Sequence, residues 1–257
     1  MTRYRLFAHT GPQRKATQVY VLDLVGCCLY RRTADDAIRD APDEIRAYLS
    51  WLRRHGEDVD PDAPVDATVV EESHAGGFIG SAEVVSDVEP VTPREIERYA
   101  RWLEWGREDL LALVEGLGAK ALDAKPAQGR SVRSILEHVL GADKGYLYSG
   151  LGVTKSVGDP TNAALAGRMD LFEALRTARV AAIERIRRAT AAERSRVRKG
   201  GRSTHTLRRS LRAMLSHEWQ HRREIEARLG SRAARSPAGA RGTARPARRG
   251  PSRTRGR

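Results

Sequence analysis

Four segments between residues 92 and 230 carry apolar side chains at the three- and four-residue spacing of an amphipathic helix. They cover residues 92–118, a stretch that begins at Ser131, residues 169–189 and residues 206–229. The first segment has a strong helix start, because Thr92 is a suitable N-cap, Pro93 takes the first helical position and Glu95 the third. Four such segments predict an all-α four-helix bundle that occupies residues 89–230.

Two connections in this region lack a helical pattern. Residues 150–168 are rich in Gly, Thr and Asn, which predicts a loop between the second and third helices. The string RSRVRKGGRST, before the fourth helix, predicts a basic turn that contains glycine.

The fourth segment contains two histidines one helical turn apart, in the string His217-Glu218-Trp219-Gln220-His221. Residues at positions i and i+4 share one helix face, so both imidazoles can reach one metal ion. The string also fits the HExxH motif of zinc proteases, in which the glutamate is the general base. It lacks the Gly-x-x-His extension that would supply a further ligand, so a protease is the least favoured interpretation and the third ligand must come from another helix.

His138 is the candidate for that third ligand. It lies in the apolar, small-residue stretch ILEHVLGA, on the buried side of the second helix. A single histidine in such a place is more often a hydrogen-bonded core residue. Three inward-facing histidines favour a metal instead, because each unpaired imidazole in a core costs free energy. The sequence therefore predicts one divalent ion held by His138, His217 and His221.

Two strings in this region resemble the DinB/YfiT-like family of metal-binding four-helix bundles. SVRSILEHVLGADKGYL is similar to the family's second helix, with the pattern S-x-x-x-x-L-x-H-x-x-x-x-[DE]. LRAMLSHEWQHRREI is similar to its last helix, where H-x-x-x-H-R-x-x-I supplies the other two ligands. The resemblance implies a three-histidine metal site, a long crossover connection between helices two and three, and frequently a homodimer.

The same resemblance implies an activity. Members of the family include thiol-dependent transferases and isomerases that activate a low-molecular-weight thiol on the metal. For this chain it implies thiol transfer, or else hydrolysis, of a small-molecule substrate, with zinc, nickel, iron or manganese as the ion. Three neutral histidines leave coordination positions open, which distinguishes catalytic sites from closed structural ones.

Other residues near the histidines have two interpretations each. Glu218 is a candidate base or a hydrogen-bond partner of a ligand, although its place between the histidines equally allows it a neighbouring helix face. Tyr146 and Trp219 are candidate pocket walls, with core packing as the alternative. Asp143 either orients a ligand or is a solvated charge, and His205 is expected to cap the fourth helix or to be exposed.

The first 88 residues are predicted to form a separate small α+β domain. Strand patterns occur at residues 4–9, 17–25, 28–31, 68–71 and 78–85. Thr33 is a suitable N-cap for an amphipathic helix that runs to His55 and Gly56, with Asp35 and Asp36 in its first turn.

The segment VYVLDLVGCCLYRRTADDAIRDAPDEIRAYLSWLRRHGEDVD resembles the HicB-like antitoxin domain. The family's DLPGC turn corresponds to residues 23–27, its T-x-x-E-A helix start to residues 33–37, and its exit after the helix to Gly56. Val25 replaces the proline of that turn, and the family's DNA-binding domain is not recognisable in the residues after this segment. An interaction module built on this fold is therefore preferred to a toxin-neutralising role.

The net charge of +13 is divided unevenly along the chain. Residues 1–90 hold 10 Lys/Arg against 16 Asp/Glu, residues 91–230 hold 27 against 17, and residues 231–257 hold 9 Arg and no acid. The tail, rich in Arg, Ala, Gly, Pro and Ser, offers little to bury and is predicted to be disordered. Contact with nucleic acid through this tail is only weakly indicated.

Membrane insertion and secretion are not expected. No stretch approaches the 18 or so apolar residues of a membrane span, and the N-terminus lacks an apolar signal core. The two cysteines, Cys27 and Cys28, are adjacent, which fits a reducing compartment, and a cytoplasmic protein is expected. The alternative function is a non-catalytic two-module interaction or regulatory protein, toxin–antitoxin-like or nucleic-acid-associated, with a vestigial metal site.

Overall fold

A computed structural model describes residues 2–12, 16–74, 82–200 and 203–235, with side chains as far as Gly230. Its N-terminal part, called the sheet part below, has the elements β1 (Thr2–Thr10), β2 (Thr17–Val21), β3 (Cys28–Arg31), α1 (Ala34–Arg54) and β4 (Val65–His74). The strand order is β3-β2-β1-β4, with β4 parallel to β1 and the other pairs antiparallel. Helix α1 packs on this sheet and connects β3 to β4.

The predicted N-terminus of α1 is confirmed. The Thr33 hydroxyl accepts a hydrogen bond from the backbone N–H of Asp36, and Asp35 and Asp36 lie in the first turn. The predicted strand at 17–25 is too long, because the chain turns after Val21 and Gly26 adopts a φ of +99°. Of the strand predicted at 78–85, residues 78–81 lie outside the described residues, and residues 82–84 form no strand.

A short 3-10 helix (Val85–Val88) joins the sheet part to the helical part. The helical part contains α2 (Pro93–Val114), α3 (Ala119–Asp123), α4 (Val132–Leu151), α5 (Lys155–Leu165), α6 (Leu171–Arg187), α7 (Ala191–Ser195) and α8 (Leu207–Arg235), with a hairpin of β5 (Arg198–Gly200) and β6 (Ser203–His205) before α8. Helix α8 packs against α4 and α2, and α6 packs against α2, α4 and α5.

The helical part holds more elements than the four predicted helices. Residues 150–168 were expected to be a loop, but α5 occupies much of that stretch. Two residues of α5 that are typical of loops have a structural role in this helix. A Cβ on Gly158 would lie 2.0 Å from the Tyr148 hydroxyl, and the Thr161 hydroxyl donates to the Val157 carbonyl. The predicted basic turn, residues 194–204, covers only the end of α7 and overlaps the two strands β5 and β6, which pair as a hairpin. Helix α8 continues past Gly230, and the predicted tail beyond residue 235 lies outside the described residues.

The sheet part packs directly on α8. A Cβ added at Gly26 would lie only 2.9 Å from Leu215 Cβ, so the two backbones approach closely at this turn. The Cys28 thiol donates to the Ser216 carbonyl over 3.2 Å, and the Trp219 indole N–H donates to the Glu44 carboxylate over 2.7 Å. Helix α8 is therefore shared between the two parts. Within the described residues, none of the helices combines the length and apolar character needed to cross a membrane.

Candidate metal centre

The three predicted histidines come together between α4 and α8. The Nε2 atom of His217 lies 2.9 Å from Nε2 of His138 and 3.2 Å from Nε2 of His221. The ligand atoms of all three lie within 4.8 Å of one another. His138 is the most exposed of the three, and His221 is only 4% exposed.

A shared metal ion accounts for this arrangement better than hydrogen bonds between the imidazole rings do. The Nδ1 atom of His221 lies 2.8 Å from the Glu224 carboxylate, so that ring carries its proton on Nδ1 and directs a lone pair from Nε2 towards His217. If His217 carries a proton on Nε2, it can donate a hydrogen bond to His138 Nε2 or to His221 Nε2, but not to both. Nitrogen donors about 2.0–2.1 Å from one tetrahedral ion lie about 3.3 Å apart, which is close to the two separations that His217 Nε2 makes.

The electrostatic environment keeps two of these rings neutral. Burial, together with the nearby His221, His138 and Arg130, lowers the pKa of His217 to about 2. Burial and Arg130 also lower the pKa of His138 below its ordinary value. Neutral imidazoles have free lone pairs at neutral pH, which metal coordination requires.

All three histidines line a cavity of about 580 Å³. Its walls come from both parts of the chain: Gln18, Tyr20 and Tyr30 from the sheet part face Arg130 and Tyr146 from the helical part. The exposed Tyr30 side chain, 46% accessible, lies in this lining. The sheet part thus contributes directly to the cavity that the three histidines line.

Glu218 and Asp143 do not line this cavity. They form a buried ion cluster with Arg107 and Arg179, so that α2, α4, α6 and α8 contribute one charged side chain each. Arg107 bonds to Glu218 over 2.6 Å and to Asp143 over 2.7 Å, and Arg179 bonds to the same two carboxylates over 2.6 and 2.7 Å. The structure therefore gives Glu218 and Asp143 partners in the core, on a different helix face from the histidines.

The two predicted pocket walls are placed differently. The Tyr146 ring contacts the His217 ring edge-to-face, with centroids 5.5 Å apart, and lines the cavity. Trp219 points towards the sheet part instead, where its ring lies 4.7 Å from that of Tyr48 and under the Arg222 guanidinium. Trp219 therefore packs in the core, which was the alternative interpretation of this residue.

The expectation that His205 caps α8 or is exposed is wrong. His205 lies on β6, its Nδ1 is 2.6 Å from the Ser149 hydroxyl, and both residues line the cavity. The hairpin, which sequence patterns did not predict, brings it there. Two further histidines lie elsewhere: His9 contacts Ser73, and His55 contacts Asp109.

Several lining residues were not found from the sequence. Gln18 and Tyr20 alternate along β2 and so share one face of the strand, which was the available signal. Nothing local indicated that this face meets α8. Arg130 directly precedes the N-cap of α4 and looked like any other basic loop residue.

Residues 103–225 match the family model described as the DinB superfamily. The match extends from α2 to α8 and contains all three histidines, so the helical part is DinB-like. No curated protein and no solved structure gave a match. The resemblance of the sheet part to a HicB-like domain therefore stays a prediction.

Proposed function

We propose that this chain, whose helical part is DinB-like, is a metal-dependent enzyme that transfers a low-molecular-weight thiol or hydrolyses a small molecule. His138, His217 and His221 would hold one divalent ion, of zinc, nickel, iron or manganese. The observation that carries the proposal is the convergence of three Nε2 atoms in the lining of a cavity large enough for a small molecule.

The residues present suit an open site. A divalent ion with three neutral nitrogen ligands supplies a Lewis acid that lowers the pKa of a thiol or of water towards neutrality. The Glu224 carboxylate orients His221 and stays ionised, because the hydrogen bond to His221 and the charge of Arg228 outweigh the effect of burial and lower the pKa of Glu224. Tyr146 packs against His217 and restricts its ring.

We further infer that α2, α4, α6 and α8 form a four-helix bundle and that the sheet part, HicB-like in sequence, acts as a substrate-facing wall. Two contacts support this role. Gln18 bonds to Gln220 beside the histidines, and the Arg212 guanidinium lies 4.9 Å from the Tyr20 ring centre. A sheet part docked for interaction alone would not need polar and aromatic side chains inside the cavity.

Elemental analysis of the tag-free protein tests the metal site. We expect about one equivalent of a divalent metal in the wild type and a large loss in His217→Ala. His205→Ala is the matched control, because it removes another histidine of the same cavity and should keep the metal. A wild type that holds no metal and takes up none of the four ions would refute the site.

Thiol transfer is tested next, with the metal-loaded protein. Several low-molecular-weight thiols are each mixed with a chromogenic electrophile, and the rate is compared with that of His217→Ala. A metal-dependent rate above the uncatalysed reaction supports transfer, whereas turnover of ester or amide probes without thiol supports hydrolysis. If the metal-loaded protein accelerates neither reaction, the non-catalytic interpretation takes its place.

A further inference from the structure

The cavity in front of the histidines is lined by positive and neutral side chains. Three arginines contribute to it, Arg130, Arg209 and Arg212, and none of the described residues that line it is an Asp or a Glu. A divalent ion bound by three neutral histidines would add further positive charge. Anions are therefore favoured inside this space.

Two of the three arginines are already neutralised by acids outside the cavity. Arg212 is buried and binds both oxygens of Asp87, over 2.9 and 2.5 Å, and it also donates to the Ala82 carbonyl. Arg209 pairs with Glu83 over 2.8 Å. Neither guanidinium needs a ligand to balance its charge.

Arg130 differs from both. Its backbone is held in place, because Arg228 of α8 donates a hydrogen bond to the Arg130 carbonyl. Its guanidinium forms no ion pair within the described parts of the chain, although it lines the cavity and is partly buried. It lines the same cavity as His138, His217 and His221, so a ligand in that cavity can reach both the guanidinium and the histidines.

Glu224, the acid beside His221, does not pair with this guanidinium. Its two oxygens are bonded to His221 and to Arg228. Arg130 is thus a cation with unused donors, anchored through its backbone, in the lining of the cavity that also holds the histidines. A guanidinium binds a carboxylate with two parallel hydrogen bonds, which a single unpaired arginine can provide in full.

We propose that Arg130 is a specificity-determining residue that binds the carboxylate of a small ligand whose thiol faces the three histidines. The proposal rests on the proposed function and deepens it: the site selects carboxylate-bearing thiols over neutral thiols of the same size. A hydrogen bond to a charged group contributes about 1.5–3 kcal/mol, which corresponds to about 10- to 100-fold in affinity.

Two probe thiols test this preference on protein saturated with Co²⁺, whose visible spectrum reports a change of ligand. The probes are 3-mercaptopropionate, which carries a carboxylate, and 2-mercaptoethanol, which is neutral. We expect the wild type to bind 3-mercaptopropionate at least about tenfold more tightly, and we expect added salt to reduce the difference. In Arg130→Gln the preference should be lost, while the affinity for 2-mercaptoethanol should change little.

The control variant is Arg133→Gln, because Arg133 lies in the first turn of α4, three residues after Arg130, but pairs with Asp123 and does not line the cavity. It should keep the wild-type preference. Equal weakening of both thiols in Arg130→Gln, or an unchanged preference, would overturn the role of Arg130 while leaving the metal site intact. A protein that shows no cobalt spectrum at all would refute the proposed function, and this inference with it.

Discussion

The Gln18 amide donates a 3.1 Å hydrogen bond to the side-chain oxygen of Gln220, a residue 202 positions further along the chain. Gln220 directly precedes the ligand candidate His221, and both glutamines line the cavity. The sheet part and the helical part therefore share one site. Substitutions in either part are expected to affect ligand binding at the histidines.

Glu224→Gln is expected to weaken metal binding by about tenfold, because a neutral amide orients His221 less firmly and leaves its ring less basic. Competition with a chromogenic chelator measures the affinity. Glu226→Gln is the control, because Glu226 pairs with arginines and not with a histidine. Equal affinities of Glu224→Gln and wild type would show that the His221–Glu224 bond is irrelevant to the metal.

Glu218→Gln is expected to lower the free energy of unfolding by about 3–5 kcal/mol, because it leaves Arg107 and Arg179 without one of their two buried carboxylates. Urea denaturation measures the loss. Glu104→Gln, at an exposed position of α2, should change stability by less than about 0.5 kcal/mol. Unchanged stability combined with lost activity would instead support Glu218 as the catalytic base.

Gly26→Ala is expected to be more destabilising than Gly56→Ala, although both glycines have a positive φ, of +99° and +93°. A new Cβ at Gly26 would lie 2.5 Å from the Tyr48 hydroxyl and 2.9 Å from Leu215 Cβ, whereas nothing lies within 4 Å at Gly56. Gly56→Ala should cost about 1 kcal/mol, and Gly26→Ala at least about 1 kcal/mol more. Thermal denaturation of both variants compares them, and equal costs would mean that the two parts do not touch closely here.

Low pH is expected to weaken the ion pair that Glu95 of α2 forms with Arg208 of α8. Burial alone would raise the pKa of Glu95, but hydrogen bonds from Arg208 and Thr92 outweigh it and lower the pKa to about 2, against 4.5 ordinarily. Because the folded-state pKa is the lower one, this stabilisation is complete above pH 4.5 and disappears as the pH falls towards 2.

Glu95→Gln isolates this effect, because glutamine retains the capping role at the start of α2. We expect the variant to be less stable than wild type by about 1 kcal/mol at pH 7, after allowance for solvent screening, and the difference to shrink at pH 3. Urea denaturation at both values measures it. A difference that does not depend on pH would contradict an ionised Glu95–Arg208 pair.

The histidines could be predicted because two of them occupy one helix face and the third lies in an apolar helix. Their surroundings could not, because they depend on contacts between distant segments. Glu218 follows His217 directly, yet the turn of about 100° between neighbouring helix positions sends its side chain to Arg107 and Arg179. Helix α5 was missed because Gly158 and Thr161, residues typical of loops, here permit close packing.

The ion cluster of Arg107, Arg179, Asp143 and Glu218 links the same helices that carry the three histidines. Arg107 holds Asp143 of α4 and Glu218 of α8 at the same time, and these two helices also carry the histidines. Sliding α8 by one turn would move its histidines about 5.4 Å along α4 and break both ion pairs. The cluster thus fixes the position of α8 along α4. His217 and His221 therefore meet His138 whether or not an ion is bound.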